Sequence, residues 1–154
     1  MLKVKQFRQK TGFCGPASLK MVLGYYGIKK SEKELAKLSG CTPEKGVGAE
    51  GLLKAAKTFG LEGFVKDFAE FKDIRTYVLG KKIPVIVDWF YWDEGHYSVV
   101  VDLDGKTISL RDPALRGIRR MSIKTFKRVW FDFPGNFLRS KDDLILRRMI
   151  VIYK

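Results

Sequence analysis

The sequence predicts an α+β fold, in which helices come first and an antiparallel sheet follows. Apolar residues recur with helical spacing in the first half of the chain, whereas β-branched and aromatic runs dominate from Ile83 onward. No internal repeat or linker-like segment interrupts the 154 residues, a length that suits one domain with a full core. We therefore expect a single domain over residues 1–154, with a helical half of about 1–81 and a β half of about 82–154.

Four helices are expected in the first half. Residues 19–26 place apolar side chains at i, i+3, i+4 and i+7, and Gly27 is a natural C-cap for that helix. The segment 31–40 opens with a Ser-x-x-Glu capping box and closes with a glycine. Residues 48–60 repeat the amphipathic pattern, and 70–79 form a less regular fourth helix.

The second half predicts a sheet. The β-branched and aromatic run 83–91 indicates a strand with a proline near its edge. Residues 96–113 predict a hairpin, because two strand-like runs flank an Asp-Gly pair. A further strand is expected at 117–123, then a short helix capped by Ser122, and a last strand at 144–154.

The composition is that of an ordinary globular protein, with 45% hydrophobic and 31% charged residues. No apolar run approaches the roughly 18 residues of a membrane span. The N-terminal stretch MLKVKQFRQK lacks the apolar core of a secretory signal. We therefore expect a cytoplasmic location, either as a free-standing protein or as a domain excised from a larger one.

The net charge of +13 is concentrated in the C-terminal third, where residues 105–154 contain 13 Lys and Arg against 4 Asp and Glu. The run RGIRRMSIKTFKR, residues 116–128, has six basic residues and no acidic one. A solvated basic face explains most of this pattern, and peripheral contact with an anionic membrane or an acidic partner is the alternative. Nucleic acid is not an expected partner, because the run offers one aromatic residue, Phe126, and no recognition motif.

Cys14 precedes Gly15 and Pro16 at the point where the first helical pattern begins. Because proline is tolerated in a first helical turn, Cys14 is expected at the helix N-terminus. The free N–H groups and the helix dipole there stabilise an anion, so a thiolate at this position is expected to have a lowered pKa and to be reactive. The alternative is a small buried apolar residue, as most cysteines are.

The cysteines and the histidine do not form a recognisable metal site. One His, two Cys and no Cys-x-x-Cys pair are too few ligands for zinc. Without an export signal, Cys14 and Cys41 are expected to be reduced thiols, and Cys41 is expected to have a structural role. No metal and no cofactor are expected.

His96 is the only histidine, and it begins a strong strand after a turn-like segment. A three-residue loop at 103–105 would place Asp112 opposite His96 on the same face of the hairpin. A two-residue turn would shift the register by one and move Asp112 to the other face. An acid beside the histidine would orient the imidazole, as in Cys–His–acid sites for nucleophilic catalysis. A lone structural histidine is the alternative.

Acyl transfer at such a site also needs hydrogen-bond donors for the developing oxyanion. The backbone N–H of Cys14 is one candidate, and the side-chain amide of Gln9 or Gln6 is the second. Two glutamines in a polar N-terminal stretch are equally expected without any function.

The sequence CGPASLKMVLGYYG, preceded by a Gln and followed at a distance by GHYSVVVDLDGKTISLRDPA, resembles the C39 peptidases and C39-like peptidase domains. The resemblance extends over roughly residues 5–114 and implies a papain-like cysteine peptidase fold. It also implies that Cys14 is the nucleophile, His96 the base and Asp112 the orienting acid.

Members of that family usually place an oxyanion glutamine six residues before the cysteine. Gln9 lies five residues before Cys14 and Gln6 lies eight before it. The resemblance therefore favours Gln9, and Gln6 is the less favoured choice.

The resemblance further implies a peptide or protein substrate. Transporter-linked members process bacteriocin leader peptides after a Gly-Gly pair, through a narrow cleft, as parts of ABC transporters. Trp89, Trp92 and Tyr97 are candidate cleft walls here, although aromatic residues beside a buried strand more often belong to the core. Two other functions are compatible with the same resemblance: a catalytically silent peptide-binding module of a secretion system, and a related amidase or acyltransferase.

Overall fold

The structure, a computed structural model, describes residues 1–154. Its helices are α1 (Cys14–Tyr25), α2 (Glu32–Ser39), α3 (Ala49–Thr58), α4 (Phe71–Arg75) and α5 (Ile123–Val129). Its strands are β1 (Glu62–Lys66), β2 (Val85–Tyr91), β3 (Glu94–Leu103), β4 (Thr107–Arg111), β5 (Ile118–Ser122), β6 (Phe131–Asp132), β7 (Ile145–Leu146) and β8 (Arg148–Tyr153). None of the helices has both the length and the apolar character that crossing a bilayer requires.

A six-stranded sheet in the order β1-β8-β2-β3-β4-β5 separates two hydrophobic layers, and β6 pairs with β7 apart from it. All strand pairs are antiparallel. Helices α1 to α3 pack their apolar faces on one side of the sheet, against Val99, Val101 and Ile150. Helices α4 and α5 cover the other side, against Val87, Leu110 and neighbouring residues. The predicted α+β architecture is confirmed.

Helix α1 begins at Cys14, as the sequence predicts, and the left-handed Gly27 (φ +80°) follows its end. The first turn packs closely on the loop before α3. A Cβ atom on Gly15 would lie 2.4 Å from Val47 Cγ1, so only glycine permits this approach. The close packing fixes the helix N-terminus, and with it Cys14, beside the sheet.

Two segments of the half expected to be helical differ from the prediction. Residues Glu62–Lys66 form β1, which pairs with β8 from the far end of the chain. Five residues give too short a periodic signal, and the pairing partner decides the structure. The expected helix at 70–79 divides into α4 and a π-helical turn at Thr76–Gly80, closed by the bond from Lys81 N–H to the Thr76 carbonyl.

The hairpin of β3 and β4 turns at the expected Asp104-Gly105 pair, but through a longer loop than the two- and three-residue turns considered. The pair nearest the turn is Leu103 with Ile108, so the turn covers 104–107 rather than 103–105. The Asp104 carboxylate accepts hydrogen bonds from the backbone N–H groups of Lys106 and Thr107, both at 2.7 Å. These bonds stabilise the longer turn because they satisfy donors that the ladder leaves free.

Continued without interruption, that register would place Asp112 on the face opposite to His96. A β-bulge at Val101 adds one residue to β3, so that Val100 pairs with Leu110. Asp112 therefore follows β4 on the face of the sheet that His96 occupies. The predicted register is wrong, and the two residues share a face because the turn and the bulge compensate for each other.

Candidate active site

Cys14 lies at the N-terminus of α1, against the beginning of β3. Its side chain is half-buried, and the backbone N–H of Tyr97 is directed at the sulfur. Tyr97 follows His96 directly in β3. The thiol therefore lies beside the part of β3 that presents the only histidine of the chain.

The Cys14 thiol is neutral in this conformation. Burial raises its pKa from 9.0 to about 12, and the Tyr97 N–H, which works in the opposite direction, does not offset it. The negative charges of Asp88 and Glu94 raise the pKa further. The expected lowering by the helix N-terminus is therefore wrong for the resting protein, because desolvation is the larger effect.

His96 and Asp112 form a buried pair. His96 Nε2 lies 2.6 Å from Asp112 Oδ1, and the two side chains are 4% and 0% exposed. Burial alone would raise the pKa of Asp112, but hydrogen bonds from His96, the Ala114 N–H and Arg119 together hold it below its ordinary 3.8. An ionised Asp112 requires a proton on Nε2, so the Nδ1 atom of the neutral ring, which makes no hydrogen bond, has a free lone pair.

Aromatic rings surround the imidazole. The ring centroids of Trp89 and Tyr91 lie 5.6 and 5.0 Å from that of His96. The Trp89 indole N–H donates to Ser98 Oγ at 3.0 Å, which fixes the indole plane. The ring of His96 is thus held by its acid at Nε2 and by the packing of Trp89 and Tyr91.

Arg119, from β5, is a site residue that the sequence did not indicate. Its Nε atom donates to the second carboxylate oxygen of Asp112, Oδ2. In the sequence it belongs to the run 116–128, which predicts a solvated basic face. The useful signal is strand alternation, since Arg119 and its neighbour Arg120 must point to opposite faces of β5.

The two glutamines have different roles in the structure. Gln6 Nε2 donates to the backbone carbonyls of Asp112 at 2.8 Å and Leu115 at 3.0 Å, so both of its amide hydrogens are used to fix the chain around the acid. Gln9 Nε2 makes only a long contact of 3.3 Å to the carbonyl of Lys10. The backbone of Gln9 is anchored by its N–H to the Pro113 carbonyl at 2.8 Å. Gln9 therefore has an amide that can be redirected, whereas Gln6 does not.

The three aromatic residues considered as cleft walls lie in different surroundings. Trp89 and Tyr97 are 3% and 7% exposed and belong to the two hydrophobic layers, with Tyr97 Oη donating to the Val47 carbonyl at 2.9 Å. Both thus offer little surface to a ligand in this conformation. Trp92, in the turn between β2 and β3, is 84% exposed.

Cys41 forms no hydrogen bond with the candidate catalytic residues, although its charge, when ionised, contributes to the raised pKa of Cys14. It is a free thiol whose Sγ lies 3.7 Å from the Gly12 carbonyl, and burial raises its pKa to about 11. No group of three or more His, Cys, Asp or Glu side chains lies together so that it could hold a metal ion.

Comparison with known proteins identifies the family. The model of the peptidase C39 family matches residues 3–133. An uncharacterised protein of Methanothermobacter marburgensis is 37% identical over 133 residues, which cover 85% of this chain and 84% of that protein.

Two solved structures share the fold. The peptidase domain of Streptococcus ComA, a bi-functional ABC transporter involved in quorum sensing, matches with a TM-score of 0.72 at 25% identity, over 99% of this chain and 98% of that domain. A double glycine motif protease from an AMS/PCAT transporter, in complex with a leader peptide, matches with a TM-score of 0.71 at 24% identity, over 99% of this chain and 92% of that one. The predicted papain-like fold is thereby confirmed, and this chain belongs to the peptidase C39 family.

Proposed function

We propose that this protein is a cysteine peptidase in which Cys14 is the nucleophile, His96 the base and Asp112 the orienting acid. The observation that supports it best is the buried His96–Asp112 pair, which leaves the other ring nitrogen, Nδ1, without a partner. Cys14 lies against the same strand, beside Tyr97. A satisfied structural histidine needs no acid and guanidinium arranged on one ring nitrogen while the other nitrogen stays free. The family match agrees with this proposal.

The first step follows from the neutral thiol. When the peptide carbonyl approaches, Cys14 transfers its proton to His96 Nδ1 while the sulfur forms a bond to the carbonyl carbon. Asp112 stabilises the resulting imidazolium through Nε2. The imidazolium then gives the proton to the leaving amine, the C–N bond breaks, and water hydrolyses the thioester with His96 again accepting a proton.

The oxyanion of each tetrahedral intermediate needs donors. The backbone N–H of Cys14, free at the helix N-terminus, is one. We assign Gln9 as the second, because its amide makes a single long contact, whereas Gln6 already uses both amide hydrogens.

The proposed substrate is a peptide with small residues before the cleaved bond, such as a leader peptide with a Gly-Gly-like site. The two transporter peptidase domains of the same fold, one of them bound to a leader peptide, support this choice. An ABC transporter or another secretion component is accordingly the proposed partner, and the cytoplasm the proposed location.

Cleavage of synthetic peptides tests the proposal. Peptides of identical length with a central Gly-Gly, Gly-Ala, Ala-Ala or Leu-Leu pair are incubated with the protein, and the products are identified by mass spectrometry. We expect cleavage after the small pairs, its loss in Cys14→Ala and His96→Ala, and no effect of Cys41→Ser. Gln9→Ala should lower kcat by about 100-fold, and Gln9→Glu more, because it replaces the donor by an acceptor.

One observation favours a second candidate function, a peptide-binding module without turnover. The thiol is neutral and forms no hydrogen bond with His96 in this conformation. Peptide binding with equal affinity in the natural protein and in Cys14→Ala, with no cleavage in either, would establish that function. Transfer of the acyl group to an added amine in preference to water would instead indicate an acyltransferase.

A further inference from the structure

Arg119 is the second partner of the candidate catalytic acid. Its side chain is 22% exposed, while the Asp112 carboxylate that it contacts is fully buried. Asp112 thus shares its two oxygens between an imidazole on Oδ1 and a guanidinium on Oδ2. The neighbouring Arg120 is exposed and has no acidic partner.

The guanidinium also lies on the rings that hold the histidine. Its central carbon is 4.9 Å from the ring centroid of Tyr91 and 5.7 Å from that of Trp89, and the same two rings pack on His96. Arg119, Asp112, His96 and the two rings therefore form one closed cluster. Cation–π contact stabilises the guanidinium in this position.

The charge of Arg119 acts on the imidazole through Asp112. The groups that contact His96 are Asp112 after β4 and the rings of Tyr91 and Trp89 on β2, and Arg119 on β5 reaches it through Asp112. Only Asp112 is negative when the thiol is neutral, and Arg119 offsets that charge. An acid offset in this way orients the imidazole while stabilising its protonated form less than a free carboxylate would.

We propose that Arg119 is a positioning residue that fixes the Asp112 carboxylate and limits the negative charge presented to His96. It thereby sets the pH range in which the imidazole can accept the Cys14 proton. The consequence for catalysis rests on the proposed peptidase function, but the coupling between Arg119 and the imidazole can be measured without substrate.

The chain contains one histidine, so an NMR pH titration of the imidazole C–H signals reports on His96 without assignment. We expect the titration midpoint to rise by about one pH unit in Arg119→Gln, because Asp112 then faces the ring with its full charge. Arg119→Lys should keep the midpoint within about 0.3 unit by preserving the cation. Arg120→Gln is the matched control, since it removes the same charge from an exposed neighbouring position, and it should change the midpoint by less than about 0.2 unit.

Arg119→Met is prepared alongside, because its apolar chain can still cover the Tyr91 and Trp89 rings if Arg119→Gln does not fold. It should raise the midpoint as Arg119→Gln does. Equal midpoints in the Arg119 and Arg120 variants, or a fall in Arg119→Gln or Arg119→Met, would overturn the proposal.

Peptide cleavage separates this inference from the proposed function. We expect Arg119→Gln to lower kcat about tenfold or more with little change in KM, and to move the acidic limb of the pH–rate profile upward, because the neutral imidazole that accepts the Cys14 proton then forms only at higher pH. Arg119→Lys should restore most of both. A raised midpoint in a protein that cleaves no peptide would support the role of Arg119 and reject the peptidase. Normal cleavage with an unchanged midpoint and pH profile in Arg119→Gln would reject the role of Arg119 alone.

Discussion

Two buried aspartates flank β3, and they differ in every respect except burial. Asp112 and Asp88 are 0% and 2% exposed. Asp112 lies on the face of the sheet with His96, whereas Asp88 pairs with Tyr97 and lies on the other face. Asp112 accepts hydrogen bonds from three donors, whereas one oxygen of Asp88, Oδ1, is buried without a partner.

The difference in partners decides which carboxyl is charged. Burial raises the pKa of Asp88, and the neighbouring carboxyl of Asp132 raises it further through a shared hydrogen bond and charge repulsion, so it lies well above 3.8. Burial acts on Asp112 in the same direction, yet its donors lower the pKa below 3.8. Equal burial thus yields an anion on one face of β3 and, on the other face, a carboxyl that retains its proton to much higher pH, because only Asp112 has donors that compensate for desolvation.

Removing Asp112, whose carboxylate accepts from three donors, should change the free energy of unfolding the most. Asp112→Ala leaves Arg119 without its acidic partner and His96 without its acceptor, and we expect it to lower the free energy of unfolding by about 3–5 kcal/mol. Urea denaturation followed by tryptophan fluorescence measures this. Asp102→Ala is the control, because its contact with the N-terminal amine is 3.7 Å long and partly exposed, and it should cost less than about 1 kcal/mol. Similar losses in the two variants would show that the Asp112 cluster does not stabilise the fold.

The Asp112 contribution also has a defined pH window. Its pKa is lower in the folded protein, so its contribution is present above the ordinary value of 3.8 and is lost as the pH falls through the folded value. Acid unfolding should therefore begin at higher pH in Asp112→Ala than in the natural protein.

On the other face, crowding the Asp132 carboxylate should have an intermediate effect. A Cβ atom on Gly95 would lie 2.3 Å from both carboxylate oxygens of Asp132. We expect Gly95→Ala to cost about 1–3 kcal/mol, because β6 must move away from β3. Adding Asp132→Ala should restore most of that loss, and a double-mutant cycle measured by urea denaturation gives the coupling. If the losses in free energy of unfolding of the two single variants simply added, the missing Cβ of Gly95 would not be what makes room for the Asp132 carboxylate.

Neutralising Asp88, which has a buried oxygen without a partner, should change the free energy of unfolding less and should raise it. Because the pKa of Asp88 is raised on folding, stability falls as the pH rises from about 3.8 through the folded value. Asp88→Asn removes that fall and can donate to Asp132. We expect it to match the natural protein near pH 4 and to exceed its free energy of unfolding by at least about 1 kcal/mol at pH 8. A variant less stable than the natural protein at pH 8 would contradict the conclusion that folding raises the pKa of Asp88.

The comparison also shows which parts of the site the sequence could predict. Cys14 at the start of α1 follows from a local signal, the Cys-Gly-Pro entry into a helix. The common face of His96 and Asp112 depends on two features, a longer turn and the bulge at Val101, neither of which has a distinct sequence signal. The prediction named the two residues that lie together, but for a register that the structure does not have.

The electrostatics of the site were beyond sequence reasoning for a different reason. The raised pKa of Cys14 depends on burial by β3, and the Asp88–Asp132 contact joins β2 to a two-residue strand that no pattern indicates. Arg119 was hidden within a basic run whose members differ only in the face to which they point. Long-range contacts decide all of these features, whereas helix caps and strand composition are local and were correct for α2 and α5.

The smallest expected effect concerns the charges that reach Cys14 from the Asp88 side. Both Asp88 and Glu94 raise the pKa of the thiol, and Asp88 contributes more. In a Cys41→Ser background at pH 9.5, Glu94→Gln should accelerate alkylation of Cys14 by iodoacetamide about 1.5-fold to twofold at low ionic strength, and less in 0.5 M salt because Glu94 is exposed. Asp88→Asn should accelerate it more and with little dependence on salt, because a buried charge is screened less. Glu50→Gln, an exposed site on α3, is the control and should change nothing. If Glu94→Gln accelerated alkylation as much as Asp88→Asn or more, the reactivity of the thiol would depend on the surface charge of the loop and not on the buried Asp88–Asp132 pair.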